Sequence, residues 1–265
     1  MKIFYFTATG NSLAVAKKIK SSLKGAELIS IPQILKEDIN YEDEVIGLVF
    51  PTYCTYMPKI VRTFLKKAKL KAKYKFAIAT YGNDFGRGGD GNLMSVFDRY
   101  TEDLNIHFNY LNSILMVDNY LDGYDIDKEI LKIPSKEIDK NLDKIIDDIK
   151  NRKQYVKKGG PIGIILSLVS KPVSKIQDKG LASKDYILNK KCNGCGICTK
   201  VCPSRNIKLV ENKVEFGNKC YKCYACIHAC PNNAIHLKSE KSSKRWRNEN
   251  VSLSEIIDSN NQNIN

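Results

Sequence analysis

Eight of the nine cysteines lie between Cys192 and Cys230 and fall into two runs of one pattern. CNGCGICTKVCP and CYKCYACIHACP both read C-x2-C-x2-C-x3-C-P, the second displaced from the first by 28 residues. Cys192, Cys195, Cys198, Cys202 and Pro203 recur as Cys220, Cys223, Cys226, Cys230 and Pro231, and Ile207 and Leu209 recur as Ile235 and Leu237. Two copies of one short unit imply a small domain with pseudo-twofold symmetry. Clustered cysteines in a reducing compartment are metal ligands more often than disulfides. Structural zinc uses four ligands, commonly as two separated C-x2-C pairs. Two runs of four cysteines, each followed by proline, exceed that need and match the ligation of two [4Fe-4S] clusters. Three thiolates at a spacing of three wrap one cube; the fourth, four residues on, has left it and reaches the other. The expected quartets are Cys192, Cys195 and Cys198 with Cys230, and Cys220, Cys223 and Cys226 with Cys202.

The net charge of +14 is unevenly spread. Residues 1–150 are nearly balanced at +1, whereas 151–185 and 186–240 each carry +6. Each four-thiolate cluster carries about −2 when oxidised, so a basic polypeptide around it lowers the cost of burying that charge. Apolar Ile197, Val201, Ile207, Phe216, Ile227 and Ile235 are expected to shield the sulfurs. The competing explanation of the charge, nucleic-acid binding, would use Lys66 to Lys75 as its footprint. That run has no aromatic stacking positions apart from Tyr74, and it reads as a solvated helix end and turn.

The first 155 residues alternate short β-rich runs with helical patterns, the mark of a doubly wound parallel sheet. Strands are expected at 2–6, 27–31, 45–50, 76–80 and 114–117, in the order 2-1-3-4-5. Helices are expected at 11–23, 57–68, 90–104 and 135–150, the last capped by Ser135. Residues 156–185 read as a basic, partly helical connector and 186–240 as the cysteine domain. Residues 241–265 read as a polar tail with a short helix before a disordered NNQNIN. The ligand site of such a sheet lies at the strand carboxyl ends, where strand order reverses.

Three loops meet there. TATGNS (Thr7, Ala8, Thr9, Gly10, Asn11, Ser12) joins the first strand to the first helix and presents hydroxyls and backbone N–H groups to an anion at the helix N-terminus. It lacks the lysine of a nucleotide-hydrolysing P-loop and the G-x-G-x-x-G of a dinucleotide site. A neutral, hydroxyl-lined phosphate pocket suits FMN. PTYCTYMP contributes Pro51, Thr52 and Tyr53, and TYGNDFGRGG contributes Thr80, Tyr81, Gly82, Asn83 and Gly86. Each supplies a tyrosine for a flat ring and exposed peptide groups. Cys54 reads as a small loop side chain rather than a reactive thiol.

These features together resemble the flavodoxin–ferredoxin fusion proteins of anaerobes, through the FTATGNS start, the PTYCTYMP and TYGNDFG loops, both cysteine runs and the RWRNENVSLSEI tail. The resemblance implies a flavodoxin-like domain holding FMN on Thr7 to Ser12, Thr52, Tyr53, Tyr81 and Gly82, followed by a two-[4Fe-4S] ferredoxin domain. Neither ring-covering loop carries tryptophan. The function expected is electron transfer between two-electron and one-electron carriers; an FMN-dependent reductase of a small quinone or disulfide is the alternative. No acid–base or nucleophilic constellation is evident among the scattered His107, His228 and His236. The expected partner is a redox protein, such as an acidic ferredoxin or oxidoreductase, with no nucleic acid involved. No apolar run approaches membrane-spanning length and the N-terminus does not read as a signal peptide, so the expected location is cytoplasmic.

Overall fold

The computed structural model describes residues 1–83, 90, 92–161, 163–165, 168, 172, 175 and 178–260. Gly86, part of the connector (162, 166–167, 169–171, 173–174 and 176–177) and 261–265 of the terminal NNQNIN stretch lie outside them, whereas Asn260, expected to be disordered, is buried at the end of the last helix. The N-terminal part runs β1 (Lys2–Tyr5), α1 (Asn11–Ser22), β2 (Glu27–Ser30), α2 (Ile31–Ile34), β3 (Asn40–Pro51), α3 (Lys59–Lys67), β4 (Lys69–Tyr81), α4 (Leu93–Glu102), β5 (Tyr110–Leu115), α5 (Ile126–Leu131), α6 (Ile138–Lys150) and β6 (Tyr155–Val156). The sheet is β2-β1-β3-β4-β5-β6, with every pairing parallel. The expected five-strand order is kept, and a short sixth strand extends its edge. There the Tyr155 N–H donates to the Asn109 carbonyl at 3.0 Å and the Lys157 N–H to Leu111 at 2.8 Å.

Alternation along the strands sends side chains to opposite faces. Ile3, Tyr5, Phe76 and Ile78 pack with the apolar sides of α1 and α6, while Phe4, Phe6, Ala77 and Ala79 pack with α3 and α4. Strands buried on both faces require helices on both, and the sequence supplies them. The lysine run differs from expectation. Only Lys66 and Lys67 end α3; Lys69 to Lys75 belong to β4. KLKAKYK alternates charged and less polar residues, which is a strand period rather than a turn. Lys71 faces Glu42 across the ladder and pairs with it at 2.8 Å, and Lys73 pairs with Glu44 at 2.7 Å. Ser135 does not cap α6. It lies in a 3-10 turn (Pro134–Lys136) and donates its hydroxyl to Lys132, while Glu137, at φ 44°, starts the helix.

The cysteine-rich part contains β7 (Tyr186–Leu188), α7 (Ile197–Lys200), β8 (Ile207–Val210), β9 (Lys213–Phe216), α8 (Ala225–His228) and β10 (Ile235–Leu237). β7 pairs with β10 and β8 with β9, both antiparallel. The repeat is geometric as well as sequential, since α7 and α8, and β8 and β10, stand at the same 28-residue offset. Val201, Ile207, Ile227 and Ile235 are buried, with Ile197 and Phe216 half-buried. This core is continuous with the α1 and α6 side of the sheet. The tail forms α9 (Leu253–Asn260) and packs against the carboxyl ends of β1 and β2: Tyr5 Oη and Ser259 Oγ stand 2.9 Å apart, and the Ser30 hydroxyl donates to the Ser259 carbonyl. Among the described residues no helix is long and apolar enough to cross a membrane.

Candidate functional site

The carboxyl ends of β1, β3, β4 and β5 open on one cleft of about 300 Å³. Thr7, Ala8, Thr9, Asn11, Ser12, Pro51, Thr52, Tyr53, Thr80, Tyr81, Gly82 and Asn83 all line it. Gly10 stands behind the wall. Its φ of +102° is the left-handed conformation glycine tolerates, and a Cβ there would lie 2.9 Å from the Asn248 Cβ. Its N–H is not free for a ligand, because it donates to Thr7 Oγ1 at 3.1 Å. Thr7, Thr9 and Ser12 are buried. Ser12 Oγ meets Thr80 Oγ1 at 2.8 Å, tying the first loop to the end of β4.

The aromatic half of the cleft is fuller than the sequence suggested. Tyr53 and Tyr81 are joined by Tyr120 and Tyr124 from the segment after β5. The Tyr53 hydroxyl is buried with no hydrogen-bond partner among the described residues, a polar atom available to a ligand. Lys157 Nζ stands 5.3 Å from the Tyr81 ring centre. Asp90 and Asp118 also line the cleft. Burial pushes both carboxyls up, Asp118 to about 6.

A third wall comes from the second cysteine run. Lys222, Cys223 and Tyr224 face the same cleft. Asp122 fixes them: it pairs with Lys222 Nζ at 2.7 Å, accepts the Tyr224 hydroxyl at 2.6 Å and accepts the Ser239 hydroxyl. Burial alone would raise the Asp122 carboxyl, but these donors hold it below its ordinary range. Segment 117–124 had a signal in the sequence, since it follows a parallel strand at its carboxyl end and carries Gly123. Lys222 and Tyr224 had none, because their place depends on how two domains dock.

The cysteines separate into two neighbourhoods. Burial, then the nearby Cys195, Cys230 and Cys192, push the Cys198 thiol up to about 11. Burial also raises Cys220, Cys223 and Cys226, and Cys202 is a neighbour of each. Backbone N–H groups point at three sulfurs, from Asn206 to Cys202, Lys222 to Cys220 and Ala234 to Cys230, each at 3.3 Å. The Cys202 and Cys230 bonds repeat at the 28-residue offset. Such donors favour charged sulfur. A cube is ligated at its corners, so its thiolates stand farther apart than those around one ion; among the described residues no three His, Cys, Asp or Glu converge on a single-ion site. Cys54 is exposed at the cleft rim.

Residues 184–231 match the family described as a 4Fe-4S dicluster domain. A comparison with curated proteins finds no match to the chain. Among solved structures the chain is similar to two-electron reduced Megasphaera elsdenii flavodoxin, at 23% identity and TM-score 0.31 over 42% of this chain and 83% of that one. It is similar to a flavodoxin of Streptococcus pneumonia TIGR4, at 13% identity and TM-score 0.36 over 57% and 97%. A flavoprotein from Lactobacillus acidophilus NCFM, solved in complex with FMN, aligns at 17% identity and TM-score 0.32 over 42% and 91%. The strand order, rather than these likenesses, defines the fold of the N-terminal part. With that sheet and the dicluster match on one chain, the molecule joins a doubly wound domain of flavodoxin-like strand order to a segment that matches the 4Fe-4S dicluster family.

Proposed function

We propose that the chain is an electron-transfer iron–sulfur flavoprotein that holds FMN in the cleft and two [4Fe-4S] clusters on its eight clustered cysteines. The observation that carries this reading is the shared wall, where Cys223 lines the cleft together with the hydroxyl and tyrosine loops. When bound, FMN exchanges one or two electrons and each cluster exchanges one, so the pair couples two classes of carrier. Thr7, Thr9 and Ser12, at the N-terminus of α1, would hold the phosphate. Tyr53, Tyr81 and Tyr120 line the cleft where the ring would lie, and the buried Tyr53 hydroxyl offers a donor. Lys222 places a positive charge at the cleft, next to the donor set Cys202, Cys220, Cys223 and Cys226. Cys202, Cys220 and Cys226 are buried and Cys223 is half-buried, whereas Cys195 of the other quartet is exposed. That quartet therefore offers the approach for an external, acidic redox protein.

The test is cofactor content after anaerobic purification. About eight irons, eight acid-labile sulfides and one FMN per chain are expected. Stoichiometric zinc without labile sulfide would overturn the reading.

A further inference from the structure

The loop Thr7 to Ser12 is held from outside as well as from within. Asn248 donates its backbone N–H to the Thr9 carbonyl at 2.9 Å and its side-chain amide to Asn11 Oδ1 at 3.0 Å. Asn260 donates its buried amide to the Thr7 carbonyl at 3.0 Å. Val251 packs over Gly10 beside Asn248. Lys17, on α1, bonds the Asn250 carbonyl and pairs with Glu255 at 2.6 Å. The same segment is anchored at its other end in the cysteine domain. Arg245 donates to the Ile235 carbonyl and to Glu240, and the Trp246 N–H donates to His228 Nδ1 at 3.2 Å. His228, on α8, donates its other ring nitrogen to the Asn119 carbonyl at 3.0 Å, and the Asn119 amide reaches Thr9 Oγ1.

We propose that residues 245–260 are an intramolecular strap by which the folded cysteine domain holds the 7–12 loop in its phosphate-binding shape, with Asn248 and Asn260 as its positioning residues. This rests on the assignment of the cleft to FMN. Loop carbonyls of Thr7 and Thr9 that point to the strap leave the hydroxyls and the start of α1 turned toward the cleft. An unstrapped loop must be ordered by the ligand itself, which weakens apparent affinity by the fraction of time the loop is correctly shaped. The coupling is reciprocal, so FMN should also steady the cysteine domain.

The experiment compares FMN and riboflavin binding, by flavin fluorescence quenching, in cluster-loaded full-length protein and in Asn248→Ala and Asn260→Ala. Each substitution should weaken FMN by about two- to tenfold, the range of one net hydrogen bond, and change riboflavin by less than twofold. FMN, but not riboflavin, should slow iron release to a chelator in the wild type, and that protection should shrink in Asn248→Ala. Unchanged FMN affinity in both variants, with wild-type binding intact, overturns the strap alone. Equal weakening of both flavins assigns the effect to general folding and also overturns it. A cluster-loaded wild type that binds neither flavin overturns the strap together with the FMN reading.

Discussion

Asp118 shows how the cleft biases a single group. Its carboxylate accepts the Tyr120 N–H at 2.8 Å, and a Cβ on Gly82 would stand 2.5 Å from its Cγ. Burial lifts its pKa from the ordinary 3.8 to about 6; Glu129 adds to the rise, and the Tyr120 N–H with Lys136 and Lys132 opposes it. A carboxyl that holds its proton more tightly when folded contributes most at low pH, and the contribution fades as pH rises from about 4 to about 6. Asp118→Asn keeps an acceptor for Tyr120 and removes the ionisation. It should stabilise the protein by about 3 kcal/mol at pH 7 and by only about 0.5 kcal/mol near pH 4, as read by anaerobic urea unfolding at both values. A gain independent of pH would assign the effect to packing. Thr7, Thr9, Ser12, Tyr53 and Tyr81 were legible because their signal is a short string after a strand. Asp118 and Lys222 were not, because their chemistry comes from neighbours distant in sequence.

The elements repeat in conformation as well as in position. Gly194 and Gly196 take φ of 72° and 73°, and their counterparts one repeat later, Lys222 and Tyr224, take 53° and 57°. The second copy thus holds two large residues in a region that suits glycine. Their side chains explain why, since both end on Asp122 and both line the cleft. The cysteine pattern made this repeat readable, but the departure from glycine gave no hint of a docked partner surface. The strands were legible in number and order up to β5, because apolar runs such as VIGLVF need cover on both faces. β6 was missed because two residues, Tyr155–Val156, carry no periodicity. Crossed ligation belongs to this scale. Cys202→Ala should perturb the resonance of the cluster on Cys220, Cys223 and Cys226 and leave the other comparatively intact, as followed by electron paramagnetic resonance of the reduced protein. Damage confined to the Cys192 cluster would contradict it.

In the whole molecule, charge and chemistry are segregated. The sheet domain is nearly neutral and the cysteine domain carries +6, so a partner steered by charge meets the cluster side first. Electron exchange with an acidic redox protein should slow as salt rises from low to physiological strength, measured by stopped-flow absorbance. A rate indifferent to salt points to a neutral partner. No amount of local sequence reading could have joined the domains into one cleft, because the contacts that do so link residues far apart in the chain. The Asn248 amide bond to Asn11 spans 237 positions. At a synthesis rate of about 5–20 residues per second, roughly ten to fifty seconds separate the two residues' emergence from the ribosome. Through that interval the nascent sheet domain can collapse around its apolar strands, but the far side of its hydroxyl loop has nothing to rest on. On the proposed strap, flavin loading is a late event in the birth of the protein, and a chain broken off before Asn248 should retain FMN less well than one that extends through Asn260.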